Sequence, residues 1–151
     1  MPPHYLIVHT SWYKEDITKM IEIARKQLSE DTSLLSVPGS LELAAGAKRY
    51  IKDLIMDTNK LDVRDILHGI IFCGIVIRGE TSHYDLVTQE TFRAIGNLAL
   101  EFPNIYMVNN VICVENKEQL IERLEKNTVN NSIALIGMTL KDLYNEKPSQ
   151  T

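Results

Sequence analysis

Short runs of aliphatic and β-branched residues alternate along the chain with longer segments whose apolar residues recur every three or four positions. The short runs lie at 5–10, 34–37, 69–77 and 105–108, and their length and composition are typical of strands. Helical spacing fills the intervals at 16–29 and 82–101 and the segments that follow Ser40 and Asn116, two residues suited to cap a helix. Strand and helix therefore alternate, which predicts a parallel sheet with right-handed crossovers and helices on both faces.

The pattern also predicts which residues of the later helices face inward and where those helices end. The residues expected to face inward are Leu86, Ile95, Leu98 and Ala99 in the helix at 82–101, and Leu120, Ile121 and Leu124 in the helix after Asn116. A polar stretch at 126–131 predicts a loop or a frayed turn, and 133–143 predicts a further helix. The polar tail from about residue 146 is expected to be disordered.

The run at 69–77 is the most continuous apolar segment, so it should lie in the middle of the sheet. We find no internal repeat and no linker. The sequence therefore predicts a single domain over residues 1–151. Its fold class is α/β, a flavodoxin-like three-layer α/β/α sandwich with a four-stranded parallel sheet.

Composition narrows the class of protein further. The chain has 151 residues, of which 44% are hydrophobic and 24% charged, values typical of a soluble globular domain. A net charge of −4 does not favour nucleic acid as a partner, and no apolar run approaches the ~20 residues of a membrane span. Because the N-terminus lacks the pattern of a signal peptide, we expect a cytoplasmic protein in which Cys73 and Cys113 are reduced thiols. The four histidines lack metal-ligand spacing, so no metal site is expected.

Candidate chemistry lies where the first three strands end. The three strand ends carry the sequences His-Thr-Ser-Trp-Tyr at 9–13, Val-Pro-Gly-Ser-Leu-Glu at 37–42 and Val-Ile-Arg-Gly-Glu-Thr-Ser-His at 76–83. A parallel sheet brings such ends to one edge, where ligands bind. Together they supply an aromatic ring, a carboxylate, and a histidine at a helix N-terminus that favours anions. This set suits a flat heterocycle with a phosphorylated partner beside it.

Three long segments resemble the motifs of one known family. The segment at 37–43, VPGSLEL, resembles V-P-G-x-x-E-[ILV]-P of 6,7-dimethyl-8-ribityllumazine synthase. The segment at 76–85, VIRGETSHYD, resembles V-I-R-G-x-T-x-H-[FY]-[DE], and 109–119, NNVICVENKEQ, followed by Arg123, is similar to N-G-V-L-T-x-E-N-x-E-Q-A-x-x-R. The motifs keep the order and spacing of the family across nearly the whole chain, which makes the resemblance specific.

The resemblance implies a reaction and an assembly. Lumazine synthase condenses 5-amino-6-(D-ribitylamino)uracil with 3,4-dihydroxy-2-butanone 4-phosphate, releases phosphate and water, and forms the immediate precursor of riboflavin. It is a transferase that needs no metal or redox cofactor. In this family the pocket lies between adjacent subunits of a homopentamer, so the expected partners are the two small-molecule substrates and further copies of the chain. Neither nucleic acid nor membrane is an expected partner.

The resemblance also assigns roles to residues of this chain. His83 matches the catalytic histidine, a suitable proton carrier near neutral pH. The positions that match the phosphate-binding set are Gly79, Glu80, Thr81 and Arg123. The positions that match the pyrimidine and ribityl site are Ser40, Leu41, Glu42, Val76, Ile77 and Asn109, the last supplied by a neighbouring subunit. Either Trp12 or Tyr13 should supply the stacking ring, and the larger face of Trp12 makes it our choice.

Two departures from the family pattern concern a turn and the expected assembly. Asn110 replaces a glycine, although asparagine tolerates the left-handed backbone of a turn. Capsid-forming members carry a glycine-rich loop after the position of Arg123, whereas this chain has no glycine at 124–132 and places Asn131 where some members have a lysine. We therefore expect pentamers and not sixty-subunit capsids, and less positive charge around the phosphate.

Two other functions are compatible with parts of the pattern. A protein on the same fold could retain riboflavin or a lumazine without turnover. The intact His83 and Arg123 argue against such a pure binder, which would need neither residue. A receiver-like signalling domain has the same order of elements, but the acidic cluster that such a domain carries after its first strand is missing here.

Overall fold

A four-stranded, all-parallel sheet forms the centre of the computed structural model, which describes residues 3–58, 63, 66–79 and 82–145, with 142–145 described by their backbone alone. The strands of this part of the chain are β1 (Tyr5–His9), β2 (Ser33–Ser36), β3 (Gly69–Ile77) and β4 (Tyr106–Val114). Their order across the sheet is β2–β1–β3–β4. The predicted alternation, the parallel sheet and the inner position of β3 are confirmed.

The helices cover both faces of the sheet. They are α1 (Lys14–Leu28), α2 (Leu43–Thr58), α3 (His83–Glu101) and α4 (Lys117–Asn145), and a 3₁₀ turn at Ser40–Glu42 leads into α2. Neighbouring strand residues point to opposite faces, so Leu6 packs among residues of α2 and α3 while Ile7 packs among residues of α1 and α4. The result is a flavodoxin-like three-layer α/β/α domain with an apolar core on each face of the sheet. No helix in the described ranges is both long enough and apolar enough to cross a membrane.

Two residues expected to face the core lie on the surface. The side chain of Leu86 is 66% exposed and that of Ile121 is 69% exposed. In α3 a threonine, Thr91, occupies the buried stripe with Ile95 and Leu98, and this phase of the helix leaves Leu86 outside. In α4 the buried stripe runs through Leu120 and Leu124, and Ile121 points about 100° away from Leu120. At these two positions the apolar character of the residue therefore did not predict correctly whether its side chain faces the core.

The predicted loop at 126–131 and the separate helix at 133–143 are also wrong, because α4 is one continuous helix of 29 residues. Its buried side is polar where the sequence suggested a break: Thr128 and Ser132 are fully buried. The side-chain amide of Asn110 in β4 donates a hydrogen bond of 2.9 Å to the Thr128 hydroxyl. The polar residues thus lie inside the protein and do not mark a loop.

The predicted roles of three residues at element boundaries have different outcomes. Asn116 accepts a hydrogen bond of 2.9 Å from the backbone N–H of Gln119, which confirms it as the cap of α4. Ser40 is the first residue of the 3₁₀ turn and is not a cap; Gly39 precedes it, with no side-chain cap bond. Asn110 was expected at a left-handed turn, but it lies inside β4, paired with Cys73 of β3. The predicted polar tail from about 146 lies outside the described residues.

Candidate active site

An open cleft of about 400 Å³ lies at the carboxyl ends of β1 and β3. These two strands are neighbours, while the connections that leave them lead to opposite faces of the sheet. In open α/β sheets this reversal of direction leaves a crevice in which ligands bind. The residues that line the cleft are Thr10, Trp12, Tyr13, Gly39, Ser40, Leu41, Glu42, Ile75, Val76, Ile77, His83 and Val87. The structure therefore brings the three predicted strand ends together around one space.

The first wall of the cleft is the turn after β1. The backbone N–H of Thr10 donates to the carbonyl of Cys73 at 3.1 Å, and the hydroxyl of Ser11 donates to the carbonyl of Val37 at 2.9 Å. These bonds tie the turn to the middle of β3 and to the residue that follows β2. Tyr13 has left-handed backbone angles, φ 56° and ψ 55°, a conformation that costs a bulky residue free energy and occurs often at functional sites. The side chain of Trp12 is 70% exposed, so its ring face is accessible.

The second wall is the 3₁₀ turn, and it approaches the first wall closely. A Cβ atom added at Gly39 would lie 3.7 Å from two atoms of the Trp12 indole and 3.3 Å from Oε1 of Glu42. The ring and the carboxylate therefore share one corner of the cleft. A Cβ atom added at Gly74, in the middle of β3, would lie 3.3 Å from Oγ of Ser40. Because Gly74 has no side chain, the 3₁₀ turn can pack directly against β3.

The third wall is the end of β3 and the start of α3. His83 is the first residue of α3, follows Ser82 at the N-cap position, and is exposed to the cleft. The N–H groups of a first helical turn have no partner within the helix and can bind an anion. Gly79 lies just after β3, where an added Cβ atom would meet nothing within 4 Å. Glu80 and Thr81, the other two residues of the predicted phosphate turn, lie outside the described residues.

Three of the predicted site residues that the structure describes, Gly79, Asn109 and Arg123, do not line the cleft of their own subunit. Asn109 lies in β4, where its side-chain oxygen accepts a hydrogen bond of 2.9 Å from the N–H of Val111. Arg123 lies on the exposed side of α4. Asn131, which replaces the lysine of some family members, donates to Oδ1 of Asn110 at 2.8 Å. Its side chain is therefore engaged within its own subunit.

Four residues that line the cleft were assigned no role from the sequence, namely Thr10, Gly39, Ile75 and Val87. Thr10 is only 2% exposed, and its hydroxyl has no hydrogen-bond partner in the described part of the chain. Its position directly after β1 is a signal that could have identified it, since residues just beyond buried parallel strands line this edge. Ile75 and Val87 carry no polar group and are indistinguishable from core residues in the sequence.

The two cysteines are free thiols, as predicted. Burial raises the pKa of the Cys73 thiol to about 12 and that of Cys113 to about 11. Both are therefore protonated at neutral pH and are poor nucleophiles. In the ranges that the structure describes, no group of three or more His, Cys, Asp or Glu side chains is placed to hold a metal ion.

Comparison with known proteins identifies the family. The family described as 6,7-dimethyl-8-ribityllumazine synthase matches residues 2–140. A protein of that name from Agrobacterium fabrum is 32% identical over 127 residues, which cover 82% of this chain and 81% of the relative. The Rhizobium meliloti protein 6,7-dimethyl-8-ribityllumazine synthase 1 is 30% identical, with 83% and 79% covered, and one from Neisseria meningitidis serogroup C is 30% identical, with 80% and 72% covered. The chain therefore belongs to the 6,7-dimethyl-8-ribityllumazine synthase family of transferases.

Proposed function

We propose that the cleft between β1 and β3 is the place where this chain carries out the reaction of its family. That reaction joins 5-amino-6-(D-ribitylamino)uracil to 3,4-dihydroxy-2-butanone 4-phosphate and yields 6,7-dimethyl-8-ribityllumazine, phosphate and water. The observation that carries the proposal is the convergence of an exposed indole, a carboxylate and an imidazole on one cleft. The indole can stack on a flat pyrimidine, the carboxylate can accept hydrogen bonds from a polyhydroxyl chain, and the imidazole can transfer protons.

The pyrimidine and its ribityl chain would bind between the first two walls of the cleft. The Trp12 ring stacks on the heterocycle, and backbone groups of Val76 and Ile77 meet its polar edge. The carboxylate of Glu42 accepts hydrogen bonds from ribityl hydroxyls, while Ser40 and Leu41 hold the chain from the 3₁₀ turn. Support for this arrangement comes from the short separations between Gly39, the indole and the Glu42 carboxylate.

The phosphate of the second substrate would bind at the N-terminus of α3. Gly79, Glu80 and Thr81 match the phosphate-binding turn of the family, and backbone N–H groups with the Thr81 hydroxyl are the proposed donors. The Glu80 carboxylate is not a proposed ligand, because it would repel phosphate. Arg123 of a neighbouring copy supplies the cation, since its guanidinium can donate two parallel hydrogen bonds to phosphate.

His83 would move the protons that the condensation requires. Attack of the uracil amine on the ketone carbonyl forms a carbinolamine, which loses water to give a Schiff base. Elimination then removes a proton from carbon and expels phosphate, and attack of the ribitylamino nitrogen closes the second ring with loss of another water. Each step transfers a proton near neutral pH, where imidazole can both accept and donate. His83 lines the cleft beside the proposed phosphate position, which supports this role.

The active assembly would be a homopentamer with the site shared between adjacent subunits, and Asn109 of the neighbour would complete the pyrimidine site. Several large apolar side chains on α3 and α4 are exposed in the isolated chain, among them Leu86, Phe92, Leu100, Ile121 and Ile133. Exposed apolar surface of this kind is typical of contacts between proteins. The continuous α4 takes the place of the kinked, glycine-rich region of capsid-forming members, which favours an assembly that stops at the ring. The two free thiols suit the reducing conditions of the cytoplasm, which is the proposed location.

The test is formation of fluorescent lumazine from the two substrates, with and without a substitution at the proposed proton carrier. We expect the wild-type chain to form product and His83→Ala to lower kcat by about 10²- to 10⁴-fold while the mass of the assembly stays the same. Gln89→Ala, an exposed change on the same helix, is the control and should keep the wild-type rate. Tight flavin binding without product would overturn the enzyme proposal, and full activity of His83→Ala would overturn the role of His83 alone.

A further inference from the structure

Arg78 connects three elements at the edge of the sheet that carries the cleft. It follows β3 directly, and its backbone N–H donates to the carbonyl of Val114 in β4 at 2.9 Å. Its Nε atom lies 2.7 Å from Oε2 of Glu115, which follows β4, and its Nη2 atom lies 3.4 Å from Oδ1 of Asp85 in α3. The carbon of the guanidinium group lies 4.2 Å from the centre of the Tyr84 ring. One side chain thus contacts both residues that follow His83 and the turn between β4 and α4.

These contacts form a network. For that reason they can hold local structure in place although they lie near the surface. Single exposed ion pairs contribute little to stability, because water screens them and two long side chains must be ordered. Here one planar group contacts two carboxylates and lies over an aromatic ring. The fork of donors and the flat face of a guanidinium allow both kinds of contact at once. A lysine in this position could not make them all.

The network fixes the position of the first turn of α3. Tyr84 and Asp85 are the second and third residues of the helix, and His83 is the first. Because Arg78 stands at the end of β3, its contacts with Tyr84 and Asp85 hold the helix start against the strand that it follows. The orientation of the His83 side chain relative to the cleft depends on this turn.

The network also balances charge where the phosphate would bind. Asp85 lies in the first turn of α3, and the same guanidinium also contacts Glu115. Without Arg78, two uncompensated carboxylates would remain near the N-terminus of α3 and would repel a phosphorylated substrate. The guanidinium is itself committed to these carboxylates, so the cation that contacts phosphate must come from elsewhere.

We propose that Arg78 is a positioning residue of the lumazine synthase reaction: it holds the turn that carries His83 in place and neutralises Asp85 and Glu115 beside the phosphate site. The inference rests on the proposed function of the cleft and adds a residue that contacts neither substrate. It assigns two separable effects to one side chain. Loss of the charge raises KM for the phosphorylated ketone, and loss of the forked geometry lowers kcat.

The experiment compares Arg78→Gln, Arg78→Lys and Arg93→Gln in steady-state assays that vary each substrate separately. Arg93→Gln is the matched control, because Arg93 also lies on the surface near a carboxylate partner, with Nε 2.7 Å from Oε2 of Glu90, but within α3 alone. We expect Arg78→Gln to raise KM for the ketone phosphate by about tenfold with little change in KM for the uracil substrate. Added salt should reduce this difference. Arg78→Lys should keep KM for the ketone near the wild-type value and lower kcat severalfold.

Other outcomes decide against the proposal. If Arg78→Gln matches Arg93→Gln in kcat and both KM values, Arg78 has no positioning role. If Arg78→Gln does not fold, the double variant Asp85→Asn/Glu115→Gln replaces it. The double variant should lower kcat without raising KM for the ketone, and unchanged kinetics would overturn the proposal. Failure of the wild-type chain to form lumazine would instead overturn the proposed function, and the role of Arg78 with it.

Discussion

The side-chain amide of Asn131 donates a hydrogen bond of 2.8 Å to the side-chain oxygen of Asn110, and this bond joins α4 to β4. Asn110 in turn donates to the hydroxyl of Thr128 at 2.9 Å. Asn110 and Thr128 are buried, and Asn131 is partly buried. The three side chains satisfy one another in a place where an unpaired polar group would be costly. The network pairs Thr128 and Asn131 on the polar face of α4, while the buried Ser132 hydroxyl on that face has no partner among the described residues.

We predict that Asn110→Ala lowers the free energy of unfolding by about 2 kcal/mol, because it leaves a buried Thr128 hydroxyl and the Asn131 amide without partners. Urea unfolding at a fixed protein concentration measures the change, since assembly makes stability depend on concentration. Asn97→Ala, at an exposed position of α3, is the control and should change stability by less than about 0.5 kcal/mol. Equal losses for the two variants would show that the network adds nothing.

The same network shows what the sequence could and could not predict. The strands and the inner position of β3 depend on local apolar runs, so they were predictable. The stretch at 126–131 was misassigned because its burial depends on a partner, Asn110, that lies in another element. A helix whose inner face is polar has no apolar periodicity to detect. The structure shows that the polar face of α4 makes hydrogen bonds to Asn110 of β4.

The candidate site divides in a similar way. Most residues that line the cleft lie at the end of a strand or in the segment that follows it, and a parallel sheet brings such positions to one edge whatever the details of packing. Asn109 and Arg123 cannot be placed in this way, because they do not line the cleft of their own subunit. Their predicted role needs a second copy of the chain. The periodicity of one chain does not predict the geometry of a contact between copies. Thr10 belongs to a predicted strand end but was assigned no role, because a hydroxyl after a strand is too common to indicate a particular function.

Gly74→Ala adds only one methyl group, but we expect it to impair catalysis. The added methyl group would lie 3.3 Å from Oγ of Ser40 and 3.3 Å from Cγ2 of Thr10, so the 3₁₀ turn must move by a few tenths of an ångström. We expect kcat/KM for the uracil substrate to fall by about tenfold. The assay varies that substrate at saturating ketone phosphate.

The matched control for this change is Gly96→Ala in α3, where an added methyl group meets nothing within 4 Å. It should keep the wild-type kinetics and raise the free energy of unfolding by about 0.5 to 1 kcal/mol, because alanine is the better helix former. If Gly74→Ala also kept the wild-type kinetics, the close contact between Ser40 and β3 would not matter for catalysis.

Substitution of the two aromatic residues after β1 should identify the stacking ring. Trp12→Ala removes the exposed indole next to Gly39, and we expect KM for the uracil substrate to rise by about tenfold. Tyr13→Gly removes the other ring and suits the left-handed backbone at that position, so it should change this KM by less than about threefold. The reverse ranking would assign the stacking role to Tyr13.

Fluorescence offers a second measurement of the same prediction. Trp12 is the single tryptophan of the chain, so emission from the native protein reports on this position. Binding of the lumazine product should quench that emission if the ring stacks on it. Quenching that is absent at saturating product would contradict stacking on Trp12, whatever the KM values of the variants.

A site shared between subunits predicts that two inactive variants can restore each other. His83→Ala removes the proposed proton carrier from one side of the pocket, and Arg123→Ala removes the proposed phosphate ligand from the other. In a ring with head-to-tail contacts, each pocket would take His83 from one subunit and Arg123 from the next. Random co-assembly in equal amounts makes both residues intact in about one quarter of the pockets. Co-expressed variants should therefore recover about a quarter of the wild-type rate.

The control is a mixture of the two variants after separate assembly, which should stay at the mean of their individual rates as long as subunits do not exchange. Light scattering on the same samples tests the size of the ring, because five and sixty subunits differ about twelvefold in mass. Co-expressed variants that stay at the mean rate would show that each pocket is completed by a single chain. Arg123 would then need a place in its own cleft, which its position on the exposed side of α4 does not provide. The hybrid experiment therefore decides between a shared pocket and a phosphate site without Arg123.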